Sequence, residues 1–288
     1  MNVRGDTTVF AVLGHPVAHS LSPQMHNAAL REMGLNAVYV SHDVHPDHLL
    51  DVLESMRHMG YAGCNMTVPL KEVAFSGLQD IDPSAQHLGA VNTVLFKEDG
   101  MTAFNTDGYG FVKSVEEDLG LKVAGSHVCI AGVGGSGRAI AITCAEQGAS
   151  RLSLLARKTE KSQAVADEIK RICPDVEVVC SGSDVADWSD LSREADLVVN
   201  STPLGMKTGE ASVLPPDAFR EGQAAYDLIY MTPETVFTKA ATEGGAKACS
   251  GLGMLLYQGV RSLEIWLDRE PPVETMRRVL EDLVYADS

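Results

Sequence analysis

One stretch of the chain constrains its fold more than any other: a glycine-rich turn between an apolar run and a helix-like segment. The apolar run Val128–Ala131 leads into Gly132-Val133-Gly134-Gly135-Ser136-Gly137, which has the spacing Gly-x-Gly-x-x-Gly, and a helical pattern continues to Gln147. Glycines at this spacing let the backbone approach a pyrophosphate closely, and the free N–H groups at the helix N-terminus favour its negative charge. The turn therefore predicts a Rossmann-like unit that binds a dinucleotide.

The end of the next predicted strand indicates which dinucleotide is bound. Leu152–Leu155 is that strand, and the acidic residue that would bind a ribose 2′-hydroxyl is missing after it. The residues found there are Ala156-Arg157-Lys158-Thr159, with Lys161 nearby. Because Arg157 and Lys158 can balance the charge of a 2′-phosphate, the sequence favours NADP, with NAD as the alternative.

The overall charge narrows the class of partner. The chain has 23 basic and 39 acidic residues and a net charge of −16, which repels nucleic acid and anionic membrane surfaces. We therefore expect a small-molecule substrate and neither nucleic acid nor a membrane as partner. An anionic ligand would have to meet a local group of cations or helix N-termini. The sequence leaves open whether the protein is a monomer or a homodimer.

The cysteines and the first residues bear on the compartment. Six cysteines occur without a Cys-x-x-Cys pair, several of them in apolar runs, which predicts reduced and buried thiols. Met1–Thr8 lacks a charged-then-apolar signal pattern, and no long apolar span follows. We expect a cytoplasmic enzyme.

The rest of the pattern predicts an α/β protein of two domains. A first helix is marked by Ser22 as its N-cap, Pro23 as its first residue and Gly34 just past its C-terminus. Further strands are predicted at Val9–Leu13, Ala37–Val40, Tyr61–Cys64, Asn92–Phe96, Met101–Phe104, Val176–Val179, Leu197–Asn200 and Ala224–Ile229. Two C-terminal helices are predicted at Met254–Leu267 and Val273–Val284. His42, His45 and His48 are spaced like metal ligands, but Pro46 interrupts them and we expect no metal.

Several polar, loop-like clusters are hard to explain by packing, and together they resemble one known family. In order along the chain they are Gly14–Pro23, Asn65–Lys71, Gly89–Thr93, Asn105–Gly108, Val199–Pro203, Tyr226–Tyr230 and Gly251–Gln258. They are similar to the motifs of the shikimate dehydrogenase family over nearly the whole chain. Because chance agreement of ordered motifs is negligible, the chain is identified as resembling that family.

The resemblance implies the reversible NADPH-dependent reduction of 3-dehydroshikimate to shikimate, in the pathway to chorismate and the aromatic amino acids. Hydride transfer leaves an alkoxide, so the site needs a proton donor that can also work in reverse. Lys71 is expected to be this general acid/base, with Asp107 as its partner and as a hydroxyl acceptor. The two are assigned as a pair, and which of them carries the proton at each step is left open.

The resemblance also implies which side chains hold the ligands. Ser20 and Ser22 are expected to bind the substrate carboxylate. The side chains expected to bind the ring hydroxyls and neighbouring atoms are Thr67, Asn92, Asp107, Tyr230 and Gln258. Lys71 is also expected to contact the substrate. Those expected to line the cofactor are Gly132, Gly134, Gly135, Ser136, Gly137, Ala156, Arg157, Lys158, Thr159, Lys161, Leu228 and Gly251. Because Gln258 lies in a C-terminal helix, residues 246–288 are expected to pack back onto a substrate domain of residues 1–106, leaving 107–245 as the Rossmann-like domain.

Small departures from the family pattern leave alternatives open. Met66 stands where the family usually has valine, and the basic loop after Leu155 is one residue out of step with the family's Asn-Arg-Thr. A quinate or dual quinate/shikimate dehydrogenase would share this fold, although threonine in place of Ser22 tends to accompany quinate use. A binding protein without turnover would be expected to lack Lys71 or Asp107, and both are present.

Overall fold

The computed structural model describes residues 3–207 and 209–285, and their contacts divide the chain into two compact units. The first unit comprises Met1–Gly110 and Leu255–Ala286, and the second comprises Phe111–Met254. Each unit contains one sheet with helices around it, so the predicted α/β class is confirmed.

The first unit is built on a five-stranded sheet of order β2-β1-β3-β4-β5. Strand β1 is parallel to β2 and β3, whereas β4 is antiparallel to both β3 and β5. Lys97 pairs with Gly100, so β4 and β5 form a hairpin. The strands are β1 (Thr8–Gly14), β2 (Ala37–Asp43), β3 (Tyr61–Met66), β4 (Thr93–Lys97) and β5 (Gly100–Phe104).

Helices cover this sheet on faces set by their apolar residues. The core on one face joins Leu13 and Val94 of the strands to Leu53, Met56 and Leu70 of the helices. The helices are α1 (Ser22–Glu32), α2 (Leu49–His58), α3 (Leu70–Gly77) and the short α4 (Pro83–Gln86), with a 3₁₀ turn at Pro46–His48.

The start of α1 differs from the prediction. The helix begins at Ser22 itself, and the cap residue is Leu21, which makes no side-chain cap hydrogen bond. The Oγ atom of Ser20 accepts from the Ser22 N–H at 3.3 Å and so serves a helix N–H from outside the helix. The prediction of Ser22 as N-cap is therefore wrong. That of Gly34 is confirmed, because Gly34 follows the C-cap Met33 with φ +68°.

The second unit has a six-stranded sheet of order β11-β10-β9-β6-β7-β8, in which every pairing is parallel. Its strands are β6 (His127–Ala131), β7 (Arg151–Leu155), β8 (Glu177–Ser181), β9 (Leu197–Asn200), β10 (Ala224–Asp227) and β11 (Lys247–Ser250). Its helices are α5 (Asp107–Ser114, which begins in the first unit), α6 (Gly135–Glu146), α7 (Thr159–Ile172), α8 (Val185–Glu194) and α9 (Val236–Glu243), with a π-helical turn at Val115–Leu119 and a 3₁₀ turn at Pro216–Ala218.

The predicted domain boundaries fall earlier than the divisions found in the structure. Residues Lys247–Ser250 form β11, a short strand that pairs with β10, so the chain leaves the second sheet only after them. Its residues are small or polar, and the sequence pattern did not show a strand there. The contacts divide the chain after Gly110 and after Met254, rather than after residues 106 and 245.

The chain ends in two helices, α10 (Leu252–Leu267) and α11 (Val273–Tyr285). The Trp266 indole N–H donates to the Val94 carbonyl oxygen at 2.9 Å, and the indole stacks on Phe10 with ring centroids 5.0 Å apart. Helix α10 therefore packs on the first sheet. Among the described residues, no helix is both long enough and apolar enough to cross a membrane.

All six cysteines are free. Cys64, Cys129 and Cys144 are buried as predicted, whereas Cys173, Cys180 and Cys249 are half-buried, so the prediction of burial is wrong for these three.

Candidate active site

The first unit brings Lys71 and Asp107 into direct contact. The Lys71 Nζ atom lies 2.6 Å from Asp107 Oδ2, and the two side chains are 27% and 18% exposed. Lys71 is in the first turn of α3, and Asp107 is the first residue of α5. The Val91 N–H donates to the Lys71 carbonyl at 2.9 Å, which holds the start of α3 beside the segment before β4. An ammonium and a carboxylate in contact, both partly open to solvent, can donate or accept a proton as a pair.

Asn92 fixes the other oxygen of the Asp107 carboxylate. Its Nδ2 donates to Asp107 Oδ1 at 2.9 Å and to Thr106 Oγ1 at 3.0 Å, and its Oδ1 accepts from the Thr106 N–H at 2.8 Å. Asn92 is 2% exposed. Each oxygen of Asp107 therefore has one donor, and a substrate hydroxyl could bond to Asn92 only by replacing one of these bonds.

Ser20, Ser22 and Thr67 follow neighbouring parallel strands. The two serines lie beyond β1 and Thr67 lies beyond β3, so both segments leave the same edge of the sheet. The segments also touch, because the Thr67 N–H donates to Leu13 O at 2.9 Å and a Cβ on Gly14 would lie 2.5 Å from Thr67 Cγ2.

Gln258 lies in the first unit, on α10. Its Nε2 donates to Leu255 O at 2.8 Å, and its carbonyl accepts from Ser262 Oγ at 2.9 Å. The Ser262 Oγ atom in turn accepts from Asn65 Nδ2 at 2.9 Å, which connects α10 to the end of β3. Seven of the eight predicted substrate residues, Gln258 among them, thus lie in this unit. The eighth, Tyr230, belongs to the second unit.

The glycine turn of the second unit contains two kinds of glycine. A Cβ on Gly137 would overlap the carbonyl oxygen of Gly132 and would lie 2.7 Å from Ser201 Oγ, and Gly132 itself has φ +94°. A Cβ on Gly134 or Gly135 would meet nothing within 4 Å. Gly132 and Gly137 are therefore required for close packing of the turn, whereas Gly134 and Gly135 leave open space in front of α6.

This open space fits the pyrophosphate of a dinucleotide. Gly134 is the N-cap of α6 and makes no side-chain cap hydrogen bond to the first N–H groups of the helix. Ser136 is exposed on the first turn of the helix. Backbone N–H groups at the start of a twelve-residue helix provide the donors that a phosphate needs, and a Cβ on Gly134 or Gly135 would meet nothing within 4 Å.

The basic loop after β7 lies at a second helix start. Lys158 is the N-cap of α7, and Arg157, Lys158, Thr159 and Lys161 are all exposed, whereas Ala156 is buried. The Ala156 N–H donates to Ser181 O at 3.3 Å, and a Cβ on Gly182 would lie 2.7 Å from Thr159 Oγ1. Three cations around a helix N-terminus make this loop locally positive in an acidic chain.

Beside Leu228, Tyr230 and Gly251 lies a buried carboxylate, Asp227, that the sequence did not single out. Asp227 Oδ1 accepts from Asn200 Nδ2 at 2.9 Å and from the Ile229 N–H at 3.1 Å, and Oδ2 accepts from Thr235 Oγ1 at 2.6 Å. The Gly251 N–H donates to Ile229 O at 3.2 Å, and a Cβ on Gly251 would lie 2.5 Å from Leu228 O. The only feature of the sequence that could have indicated this buried carboxylate is an aspartate between apolar residues at a strand end. Burial also raises the pKa of Tyr230.

We expect Asp227 to make stability depend on pH. Burial raises the pKa of Asp227 from 3.8 to about 6, although hydrogen bonds from Thr235, Ile229 and Asn200 oppose this. Between these values the native state binds the proton and the unfolded chain does not, so this group's contribution is greatest below pH 3.8 and is lost as pH rises to about 6.

In Asp227→Asn this titration is absent. The melting temperature of the variant, relative to the native chain, is expected to rise by several degrees between acidic and neutral pH. Thermal unfolding of both proteins over a pH series measures the difference. A difference that stays constant with pH would show that Asp227 does not titrate in this window.

The fold and the site define a class: an oxidoreductase that binds a nicotinamide dinucleotide and has a lysine and an aspartate in direct contact. Residues 12–94 match the family model of the shikimate dehydrogenase substrate binding domain, and residues 251–281 match that of the shikimate 5′-dehydrogenase C-terminal domain. Residues 125–208 match the KR domain model.

Known proteins with the same architecture agree with these matches. The chain is 42% identical to a shikimate dehydrogenase (NADP(+)) of Moorella thermoacetica, over 100% of this chain and 97% of that one. A structure of shikimate 5-dehydrogenase from Thermus thermophilus in complex with NADP(H) and shikimate has a TM-score of 0.83 and 36% identity, over 96% and 99% of the two chains. Quinate dehydrogenase from Corynebacterium glutamicum in complex with NAD has a TM-score of 0.86 and 30% identity, over 95% and 98%. The chain belongs to the shikimate dehydrogenase family.

Proposed function

We propose that this chain catalyses the reversible NADPH-dependent reduction of 3-dehydroshikimate to shikimate, a step toward chorismate and the aromatic amino acids. The observation that carries the proposal is the contact of Lys71 Nζ with Asp107 Oδ2 at 2.6 Å, within a chain whose relatives are named for this reaction. The cofactor is NADP, in agreement with those relatives and with the missing acidic residue after β7.

The Lys71–Asp107 pair handles the proton. When bound, NADPH supplies the hydride that converts the substrate carbonyl to an alkoxide. Lys71 and Asp107 together give that oxygen a proton in the direction of reduction and remove it in the direction of oxidation. Asn92 holds Asp107 Oδ1 at 2.9 Å, so the carboxylate keeps one orientation while Lys71 contacts its other oxygen. Because the two side chains are in direct contact, the proton is assigned to the pair.

The polar residues of the first unit bind the polyol in this proposal. Ser20 and Ser22 would hold the substrate carboxylate near the start of α1. Ring hydroxyls would meet the hydroxyls, amides and carboxylate of Thr67, Asn92, Asp107 and Gln258. A site that pairs several hydroxyls rejects analogues that leave its own polar groups unpaired.

The second unit binds the cofactor in this proposal. The open space in front of Gly134 and Gly135 accepts the pyrophosphate, with Gly132 and Gly137 shaping the turn and Ser136 at the helix start. Arg157, Lys158 and Lys161 balance the 2′-phosphate next to Ala156 and Thr159. Leu228 and Gly251, which contact each other, line the remaining part.

The proposed setting follows from charge and thiol chemistry. The net charge of −16 supports small molecules rather than nucleic acid or membranes as partners. Six free cysteines support the cytoplasm, where thiols stay reduced. We propose a monomer or a homodimer, which light scattering in solution distinguishes.

A grid of two substrates and two cofactors tests the proposed function. Purified protein is mixed with shikimate or quinate and with NADP⁺ or NAD⁺, and the rise in nicotinamide absorbance is followed. We expect kcat/KM to be highest for shikimate with NADP⁺, because Ser22 is a serine and the loop after β7 is basic. Equal or faster turnover of quinate with NAD⁺ would instead identify a quinate dehydrogenase.

A further inference from the structure

We propose that Tyr39 is a positioning residue for the Lys71–Asp107 pair, acting through a buried chain of directed hydrogen bonds in the first unit. Tyr39 lies on β2 and does not belong to the polar clusters that carry the family resemblance. It is 1% exposed, and its ring stacks on His26 with centroids 4.2 Å apart. The inference rests on the proposed function, because it concerns the same pair of residues.

The hydrogen bond between Tyr39 and Asn65 can have only Tyr39 as its donor. Asn65 Nδ2 lies 3.2 Å from the carbonyl oxygen of Asn92, which can only accept, so this end of the Asn65 amide must be the NH₂ group. The opposite end, Oδ1, lies 2.7 Å from the Tyr39 hydroxyl. Since an amide oxygen can only accept, Tyr39 is the donor. Burial raises the pKa of Tyr39, so the hydroxyl keeps the proton that it donates.

Three further hydrogen bonds, each donated in the same sense, connect Asn65 through Thr93 and Asn92 to the Lys71–Asp107 pair. Asn65 Nδ2 donates to Thr93 Oγ1 at 2.9 Å, and Thr93 Oγ1 donates to Asn92 Oδ1 at 2.9 Å. Asn92 Nδ2 then donates to Asp107 Oδ1, whose carboxylate meets Lys71 through Oδ2. Asn65, Thr93 and Asn92 are all 5% exposed or less, so water cannot readily replace a missing partner.

Loss of the Tyr39 hydroxyl removes the donor to Asn65 Oδ1, which together with the Asn92 carbonyl oxygen holds the Asn65 amide in one orientation. If that amide turned over, its oxygen would face the Asn92 carbonyl and would compete for the Thr93 hydrogen. Asn92 would then lose a donor to Oδ1 and would hold Asp107 less firmly. A pair that must meet a substrate oxygen at hydrogen-bond distance is sensitive to such a shift.

Tyr39→Phe tests this, because the ring and its stacking remain and only the hydroxyl is lost. We expect kcat for shikimate oxidation to fall about tenfold, with KM for shikimate changed less than about threefold and NADP⁺ affinity unchanged. The matched control is Tyr61→Phe on β3, whose hydroxyl bonds to the His42 ring at 3.0 Å, and we expect it to keep the native kcat. A native kcat in Tyr39→Phe, a loss confined to KM, or an equal loss in the control would overturn the proposal.

Thr93→Val breaks a later bond in the same chain and serves if Tyr39→Phe folds poorly. Because both residues act through Asn92, kcat of the double variant is expected to fall no further than kcat of the single variant with the larger loss. Independent structural damage would make the two losses multiply, and that result would also count against the proposal.

One measurement needs no turnover, which separates this inference from the proposed function. The labelling rate of Lys71 by an amine reagent, read by peptide mass spectrometry, is expected to rise about threefold in Tyr39→Phe as the ion pair loosens. Lys97, exposed on the hairpin, is the internal standard. If the native chain fails to oxidise shikimate but Lys71 labelling rises, the proposed function fails and the positioning role stands. An unchanged labelling rate contradicts the positioning role.

Discussion

Replacing Lys71 by alanine lowers the rate of shikimate oxidation by about 10²- to 10⁴-fold while the chain still binds NADP⁺. The loss is expected because the ammonium in contact with Asp107 Oδ2 is the proton donor closest to that carboxylate, and alanine provides no replacement. Cofactor binding is retained because the glycine turn and the basic loop belong to the second unit. Steady-state rates with shikimate and NADP⁺, together with calorimetric titration of NADP⁺, measure the two effects.

Lys97→Ala is the matched control for Lys71→Ala. Lys97 ends β4 in the same unit and is exposed, so its removal deletes one positive charge without touching Asp107. We expect its turnover to remain native. If Lys71→Ala kept more than about a tenth of the native rate, a general acid/base role for the residue would be untenable.

Alanine at Gly137 and alanine at Gly135 are expected to weaken NADP⁺ binding for different reasons. At Gly137 the new methyl group would overlap the carbonyl oxygen of Gly132, so the turn must distort even without ligand. We expect its melting temperature to fall by several degrees and the dissociation constant for NADP⁺ to rise about 100-fold or more. At Gly135 the methyl group meets nothing within 4 Å, so the unliganded protein should keep its melting temperature.

The Gly135→Ala variant isolates the contribution of the open space to binding. Its methyl group would occupy the space proposed for the pyrophosphate, so the dissociation constant should rise about tenfold or more although the fold is intact. Calorimetric titration and thermal unfolding of both variants give the four values needed. A Gly135→Ala variant that bound NADP⁺ as tightly as the native chain would place the pyrophosphate elsewhere.

Sequence patterns predicted the structure best where all the residues that determine an element lie within one short segment. The strand before Gly132, the glycine spacing and the helix after it lie within one short segment, and the structure forms β6, the turn and α6 from them. Patterns served worse where an element depends on its neighbours. The strand β11 has an undistinguished composition and forms only because β10 lies beside it, and Ser22 starts α1 because Ser20 supplies the acceptor.

The sequence by itself determined the residue types at the site: a lysine and an aspartate in loop-like segments, a glycine turn after a strand, and cations where an acid would select NAD. Only the tertiary structure decided that Lys71 contacts Asp107 across 36 residues of chain, that Asp227 is a buried acceptor in the second unit, and that Tyr39 is a buried donor in the first. The physical reason is that a hydrogen bond depends on angstrom-scale positions. Those positions come from the register and packing of strands far apart in sequence, which no local pattern encodes.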